Sequence, residues 1–152
     1  KIQSIASGTS VAMVVWSRQA DGSEGGTTVT LTQPVAKRSV AQLLVYRGFS
    51  QVATSGFSLD SATAAHTAPG VPVNSGDLVV HIFGDRSATT SAWSAGAPDT
   101  ARGSVVGTAT TRFSVFASDP TLRSSAGTAA ASTATTDSVS TKGAGISVAL
   151  RP

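Results

Sequence analysis

The stretch DLVVHIFG, residues 77–84, is among the strongest strand signals in the sequence and decides the fold class. β-Branched and aromatic side chains fill it, as is typical of strands, and Gly84 ends it. Because successive side chains of a strand point to opposite faces, His81 lies opposite its two apolar neighbours. We therefore predict a β-strand over Asp77–Phe83, with His81 as a solvated or hydrogen-bonded core histidine rather than a catalytic base.

Further strand patterns occur on both sides of this stretch. The segment Thr27–Thr32 alternates strictly, which predicts a half-buried antiparallel strand with Val29 and Leu31 on its inner face. Val40–Tyr46 is more uniformly apolar, which is typical of a strand covered on both faces. The remaining predicted strands are Val11–Arg18, Arg112–Ser118, part of Ala129–Thr136 and Ile146–Leu150.

No segment shows the period of a capped amphipathic helix, and the Ala-, Ser- and Thr-rich tract from Leu122 to Lys142 is no exception. About eight short strands separated by turn signals predict an all-β protein. The expected architecture is an antiparallel β-sandwich of jelly-roll type. At this length, residues 1–152 are expected to form one domain.

The composition excludes several classes of function. Charged residues are only 12% of the 152 residues, while hydrophobic residues are 40%, so the polar surface must come from Ser, Thr and Gly. The net charge of +3 is spread thinly, with Lys37-Arg38 as the one adjacent basic pair, and we predict no nucleic-acid partner. The absence of cysteine excludes a thiol nucleophile and a cysteine-based zinc site.

The ends of the sequence and its apolar runs bear on location. No run approaches the length that crosses a bilayer, and we predict no membrane insertion. The chain begins at Lys1 without an initiator methionine or a signal-like segment. Whether Lys1 is a native start, a processing site or an engineered boundary stays open.

The sequence offers little catalytic chemistry. It has two histidines and no Gly-x-Ser-x-Gly elbow, and His66 has no acidic residue within a few positions. No spacing typical of a metal site occurs, although a structural calcium at Asp85 or Asp119 stays an alternative. A hydrolase with these same two carboxylates facing one cleft is another alternative. We predict no catalytic residues, no cofactor and no metal.

The chemistry that remains is recognition. Aromatic faces and planar hydrogen-bonding groups hold sugars, so exposed tryptophan, tyrosine and arginine residues would suit a lectin-like patch. Trp16 is on a predicted strand and is expected in the core. The candidate ligand-binding residues are Tyr46, Arg47, Arg86, Trp93 and Arg102. For Trp93, surrounded by small residues, closing the end of the sandwich and facing solvent are equally open.

The Tyr46-Arg47-Gly48 sequence at the end of an apolar run has two interpretations. In the structural interpretation, which we favour, the tyrosine buries its ring while its hydroxyl reaches the backbone. Gly48 then permits a turn, and Arg47 points outward or covers the strand edge. In the other interpretation, the tyrosine and the guanidinium contact a ligand.

Several motifs, taken in order, resemble a β-sandwich module of actinobacterial secreted proteins and of actinobacteriophage structural and tail proteins. They cover nearly the whole chain. They are Leu43-Leu-Val-Tyr-Arg-Gly48, Gly76-Asp-Leu-Val-Val80, Gly84-Asp-Arg-Ser-Ala-Thr-Thr-Ser-Ala-Trp93, Arg102, Ser114-Val-Phe-Ala-Ser-Asp119, Ala134-Thr-Thr-Asp137 and Ser147-Val-Ala-Leu150.

The resemblance implies a non-enzymatic structural or attachment module on a virion, as a tail, fibre or capsid decoration protein, or on a cell exterior. Its partners would be other structural proteins of the same assembly, with which it would form an oligomer. The alternative is a carbohydrate-binding module that contacts a cell-surface glycan. Members carry additional upstream strands, including a Pro-Ala-Gly-Trp segment that this sequence lacks. Either those first strands come from a preceding region or a partner, or the fold starts late in this chain.

Overall fold

The computed structural model describes residues 1–120 and 125–152, and within them it is all-β, as predicted. No helix in this part of the chain could span a membrane. The small-residue tract begins at Leu122, so its first residues lie outside the described ranges. The described strands are β1 (Gln3–Ser7), β2 (Val11–Val15), β3 (Gln51–Asp60), β4 (Ala65–Ala68), β5 (Pro72–Val73), β6 (Leu78–Ser87), β7 (Trp93–Ala95), β8 (Thr100–Val106), β9 (Arg112–Asp119), β10 (Gly127–Thr128), β11 (Ser132–Thr136) and β12 (Lys142–Arg151).

A five-stranded antiparallel sheet organises the molecule, in the order β3-β12-β6-β9-β8. Residues 78–84 of the DLVVHIFG stretch lie in β6, in the middle of this sheet, and Asp77 precedes the strand. The strand continues past Gly84 to Ser87, whereas the sequence predicted an end at the glycine. Glycine fits within the strand because the Met13 side chain lies against its backbone, a close approach typical of glycine in strands.

Different elements cover the two faces of this sheet. The β1–β2 hairpin packs on one face, here called the hairpin face, where Ile5 meets Ile146 and Val148. The sheet β4-β11-β7 packs on the other face, called the three-strand face, where Phe83 meets Phe116, Ala68 and Ala134. The short β5–β10 pair extends that second layer over Val79 and Ala149. Side-chain alternation along β12 and β6 supplies both apolar surfaces.

Residues 16–50, here called the arm, contain no strand, and two strand predictions are therefore wrong. Thr27–Thr32 is exposed on both faces, with Val29 64% and Leu31 60% accessible. Trp16, expected in the core, is 59% exposed, because the hairpin ends at the Gln3–Val15 pair and Trp16 follows it. A strand pattern is local, whereas a strand needs a partner ladder.

Val40–Tyr46 is also not a strand, although burial alternates along it. Gln42, Leu44 and Tyr46 are partly buried, whereas Leu43 and Val45 are 70% and 77% exposed. The inward side lies over β8 and the loop after it, since a Cβ on Gly103 would sit 2.9 Å from Gln42 Nε2. The segment is thus covered on one face, not two, and makes no backbone ladder.

The other predicted strands occur with changed bounds. Val11–Arg18 shortens to β2, Arg112–Ser118 gains one residue as β9, and Ile146–Leu150 lies within the longer β12. The small-residue strand within Ala129–Thr136 is β11. Strand β3, rich in serine, threonine and glycine, was missed because its composition is not typical of strands.

Candidate functional site

Two of the candidate residues, Tyr46 and Arg102, meet at one place, where the arm passes the end of β9. The Tyr46 hydroxyl donates to Asp119 Oδ2 at 2.8 Å. Arg102 donates to the same carboxylate through Nε at 2.7 Å and Nη2 at 2.6 Å. Asp119 is 1% exposed, whereas the Arg102 side chain is 46% exposed. A buried carboxylate therefore anchors a tyrosine and a half-exposed guanidinium.

Local backbone geometry places Arg102 beside this carboxylate. The β8–β9 register shifts between Ala101 and Gly103, so Arg102 is the extra residue of a β-bulge. A bulge redirects the side chain of the strand that carries it. Asp119 is the last residue of β9, and its carboxylate receives the redirected guanidinium.

The Tyr46-Arg47-Gly48 sequence turns a corner, as the favoured interpretation expected. Gly48 has a φ of +80°, a conformation that glycine adopts readily, and Arg47 is exposed. The tyrosine ring is partly buried, but its hydroxyl meets the Asp119 carboxylate rather than a backbone group. The corner therefore anchors the end of the arm to the five-stranded sheet.

Beside this anchor lies an open groove of about 650 Å³. Tyr46 and Phe49 meet edge to face in its wall, with ring centroids 6.4 Å apart. Arg47 also lines the groove and has no ion-pair partner within residues 1–120 and 125–152. The rest of the lining is mostly apolar and includes Leu43, Leu44, Val45, Leu78 and Pro120. The groove thus combines aromatic ring edges, apolar walls and the Arg47 guanidinium, which has no ion-pair partner among the described residues.

The environment of Tyr46 suppresses its ionisation. Burial is the main cause that raises the pKa of the phenol above its ordinary value, and the bond to Asp119 raises it further. Arg102 opposes this only in part. In turn, hydrogen bonds to Asp119 raise the pKa of Arg102.

We predict that the native protein will not ionise its tyrosine at the ordinary pKa of about 10. The chain has one tyrosine, so the tyrosinate absorbance reports Tyr46 alone. A spectrophotometric pH titration should place the native midpoint above the midpoint in urea. Asp119→Asn should bring the native midpoint closer to the unfolded one, although burial will keep it raised. Coinciding native and unfolded midpoints would contradict the described contacts.

The other two candidate residues lie elsewhere. Trp93 packs between the sheets, stacked on Phe116 at 5.6 Å, and its Nε1 donates to Ser114 Oγ at 2.7 Å. The indole thus closes an end of the core, which is one of the two interpretations that the sequence left open for Trp93. Arg86 pairs with Phe113 in the ladder and lies at the far end of β6 from the groove, roughly 26 Å from Leu78 along the strand.

Asp85 and Asp119 do not face one cleft. Asp85 accepts from Thr90 Oγ1 at 2.7 Å and from the Ser114 hydroxyl. Ser114, which holds Asp85, and Asp119 are five positions apart on β9, or roughly 16 Å along the strand. Glycosidase pairs lie within about 10 Å. Within the described residues, no group of three or more acidic or histidine side chains is arranged to hold a metal ion.

A buried Asp60–His66–Ser140 arrangement was missed from the sequence. His66 Nδ1 lies 3.1 Å from Asp60 Oδ2, and its Nε2 lies 3.4 Å from Ser140 Oγ. The order is that of a catalytic triad, but the serine is 1% exposed and donates its proton to the Thr63 carbonyl. The arrangement ties the β3–β4 corner to the loop before β12. The sequence contained one signal for this contact: Asp60 precedes His66 by six positions, and a turn between two strands can bring residues at that spacing together.

Comparisons with known proteins find no match among protein-family models, curated proteins or solved structures. The resemblance to actinobacterial and phage modules therefore stays a prediction that rests on the motifs themselves.

Proposed function

We propose that this chain is a non-enzymatic structural and attachment module, a β-sandwich of jelly-roll type, on a virion or a cell exterior. It would join other structural proteins of the same assembly in an oligomer. The observation that carries the proposal is the exposed apolar arm. The low charge and the Ser-, Thr- and Gly-rich composition agree with an exterior location.

Large exposed apolar side chains concentrate on the arm and on the edges of the five-stranded sheet. Among the described residues, the arm contributes Trp16, Val29, Leu31, Val35, Leu43 and Val45. The edge strands contribute three more, namely Phe57 and Leu59 on β3 and Val105 on β8. Val139, in a loop, lies outside both groups. Apolar exposure of this extent marks a surface that another protein covers.

The physical gain from covering the arm is large. Fully burying one valine or leucine is worth about 1.5–3 kcal/mol, and several such side chains follow each other along the arm. The edge strands β3 and β8 also present unpaired backbone groups that a partner strand can meet. A partner that supplies a strand and apolar contacts would thus be bound by both kinds of interaction.

The proposal predicts a self-associating or partner-bound protein. Light scattering after size exclusion should give an oligomer for the wild type and a smaller species for the double variant Leu43→Ser, Val45→Ser. Val139→Ser is the matched control, because Val139 is 64% exposed but lies off the arm. A wild type that is a monodisperse monomer and binds neither virions nor cell envelopes would refute the proposal.

The groove beside Tyr46 favours a second candidate, a carbohydrate-binding module for a cell-surface glycan. Its aromatic edge and its uncommitted Arg47 are groups that hold sugars. A glycan array should then give binders that Arg47→Ala weakens. Arg86→Ala is the control, since Arg86 lies outside the groove lining. An array without binders, or equal losses for both variants, would reject this candidate.

A further inference from the structure

A smaller cavity of about 180 Å³ lies on the three-strand face, beside the loop between β7 and β8. Its lining includes the exposed Ala97, Pro98 and Ala131, together with the buried side chains of His81 and Asp99. A water molecule occupies about 30 Å³, and an engineered apolar cavity of about 150 Å³ admits benzene. The cavity therefore has room for a small organic group.

The contacts of His81 define its protonation. Ser147 Oγ lies 2.6 Å from the Pro69 carbonyl oxygen, which can only accept, so the serine proton points there. His81 Nδ1, 3.0 Å from the same hydroxyl, must then be the donor. Burial lowers the pKa of His81 more than Asp99 raises it, which keeps the ring neutral at pH 7. His81 Nε2 consequently carries a lone pair.

The Asp99 carboxylate is also an acceptor. Its Oδ2 accepts from Ser118 Oγ at 2.8 Å and from Ser132 Oγ at 2.7 Å. It lies 3.9 Å from His81 Nε2, which is too long for a hydrogen bond. The two side chains are 2–3% exposed and line the same cavity. Two buried acceptors are thus close together with no donor between them in the described part of the chain.

Among the described residues, Asp99 lacks the arginine partner that Asp77 and Asp119 have. In this it resembles Asp85, which is also held by two hydroxyls; Asp99, however, lines a cavity. Asp77 is held by Arg151, and Asp119 is held by Arg102, each through two hydrogen bonds. No lysine or arginine within residues 1–120 and 125–152 pairs with Asp99. A buried carboxylate is costly unless a positive charge compensates it.

We propose that this cavity binds a primary alkylammonium group. The ammonium donates to His81 Nε2 and to the Asp99 carboxylate, and its short alkyl chain lies against the alanine and proline side chains of the lining. A neutral hydroxyl has one proton to donate and leaves the carboxylate uncompensated, so the cavity discriminates against alcohols. This site adjoins the groove, with which it shares Pro120 in its lining, but none of the groups that would bind the ammonium lines the groove, and the proposal goes beyond the proposed function.

The test is an NMR titration of the isotope-labelled full chain with propylammonium at millimolar concentrations. Saturable shifts should appear at His81 and Asp99. Propanol, which matches the size without the charge, and tetramethylammonium, which has the charge without a donor, should produce no saturable shift. Absence of saturation with propylammonium, or equal saturation with propanol, would overturn the proposal.

Two variants locate the site. Asp99→Asn should weaken propylammonium binding by at least about tenfold, the loss expected for a hydrogen bond to a charged group. Asp137→Asn is the control, because Asp137 is an exposed carboxylate outside the lining. If Asp99→Asn fails to fold, the variant Ala131→Leu provides the test instead. Its larger side chain fills the cavity from an exposed position and should weaken propylammonium binding. Unweakened binding in the folded variants would refute the site.

A free amine and a lysine side chain of another protein share this chemistry. A parallel titration with Nα-acetyl-lysine methylamide distinguishes the two sources. Binding of this compound with the same dependence on Asp99 supports a protein-borne lysine. Binding of propylammonium alone supports a free amine, and binding of neither compound overturns the proposal.

Discussion

Gly145→Ala is expected to lower the free energy of unfolding by about 3 kcal/mol or more. This is the upper end of the range, about 1–3 kcal/mol, that overpacking a core usually costs. Gly145 lies in β12, in the middle of the five-stranded sheet. A Cβ there would overlap the carbonyl oxygen of Thr67, which belongs to β4 of the covering sheet. Since the backbone fixes the position of the Cβ and the Thr67 carbonyl is itself backbone, neither can rotate away, and the two layers would have to separate.

Two glycine controls isolate the effect of backbone contact. At Gly84 the added Cβ would lie 2.8 Å from the Met13 sulfur, at the end of a flexible side chain that can move. At Gly25 nothing lies within 4 Å, so alanine should be neutral or slightly stabilising. Urea unfolding of the three alanine variants checks the order. A Gly145→Ala variant as stable as Gly25→Ala would contradict the direct contact of the two layers.

Phe83→Ala is expected to cost about 3–5 kcal/mol of unfolding free energy, the usual range for a buried phenylalanine. Phe83 is 0% exposed and is surrounded by aromatic rings on the three-strand face. Its ring centroid lies 6.1 Å from that of Phe116 and 6.3 Å from that of Trp93. Truncation would therefore leave a cavity between the sheets and remove aromatic contacts as well.

Phe57→Ala is the matched control for this prediction. Phe57 lies in the edge strand β3 of the same sheet and is 52% exposed, so its loss should cost less than about 1.5 kcal/mol. Denaturant midpoints with unchanged slopes would measure both values. Equal losses for the two variants would mean that the core does not lie on the three-strand face.

The strands that sequence reasoning predicted well are those that lie within the sheet. All of Asp77–Phe83 except its first residue lies in β6, and Ile146–Leu150 lies in β12; the two strands pair with each other along nine residues. Thr27–Thr32 carries an equally clear pattern but has no strand partner among the described residues. Strand periodicity is thus a property of the segment alone, whereas strand formation requires a second segment at the correct distance.

The candidate site shows the same division. Aromatic and arginine residues were identifiable as recognition groups, but their grouping was not. Tyr46 and Arg102 converge on Asp119 from 73 and 17 positions away, and the sequence contains no signal for the bulge that redirects Arg102. Trp93, with the same recognition chemistry, lies between the sheets instead.

By itself, the amino-acid sequence determined that this chain is all-β, because alternation, β-branched residues and turn residues act over a few neighbouring positions. Only the tertiary structure decided which apolar segments are covered, which carboxylates receive an arginine and which cavity His81 and Asp99 share. Those outcomes depend on the pairing of strands that are distant in sequence, and one shift of register exchanges the two faces of a strand.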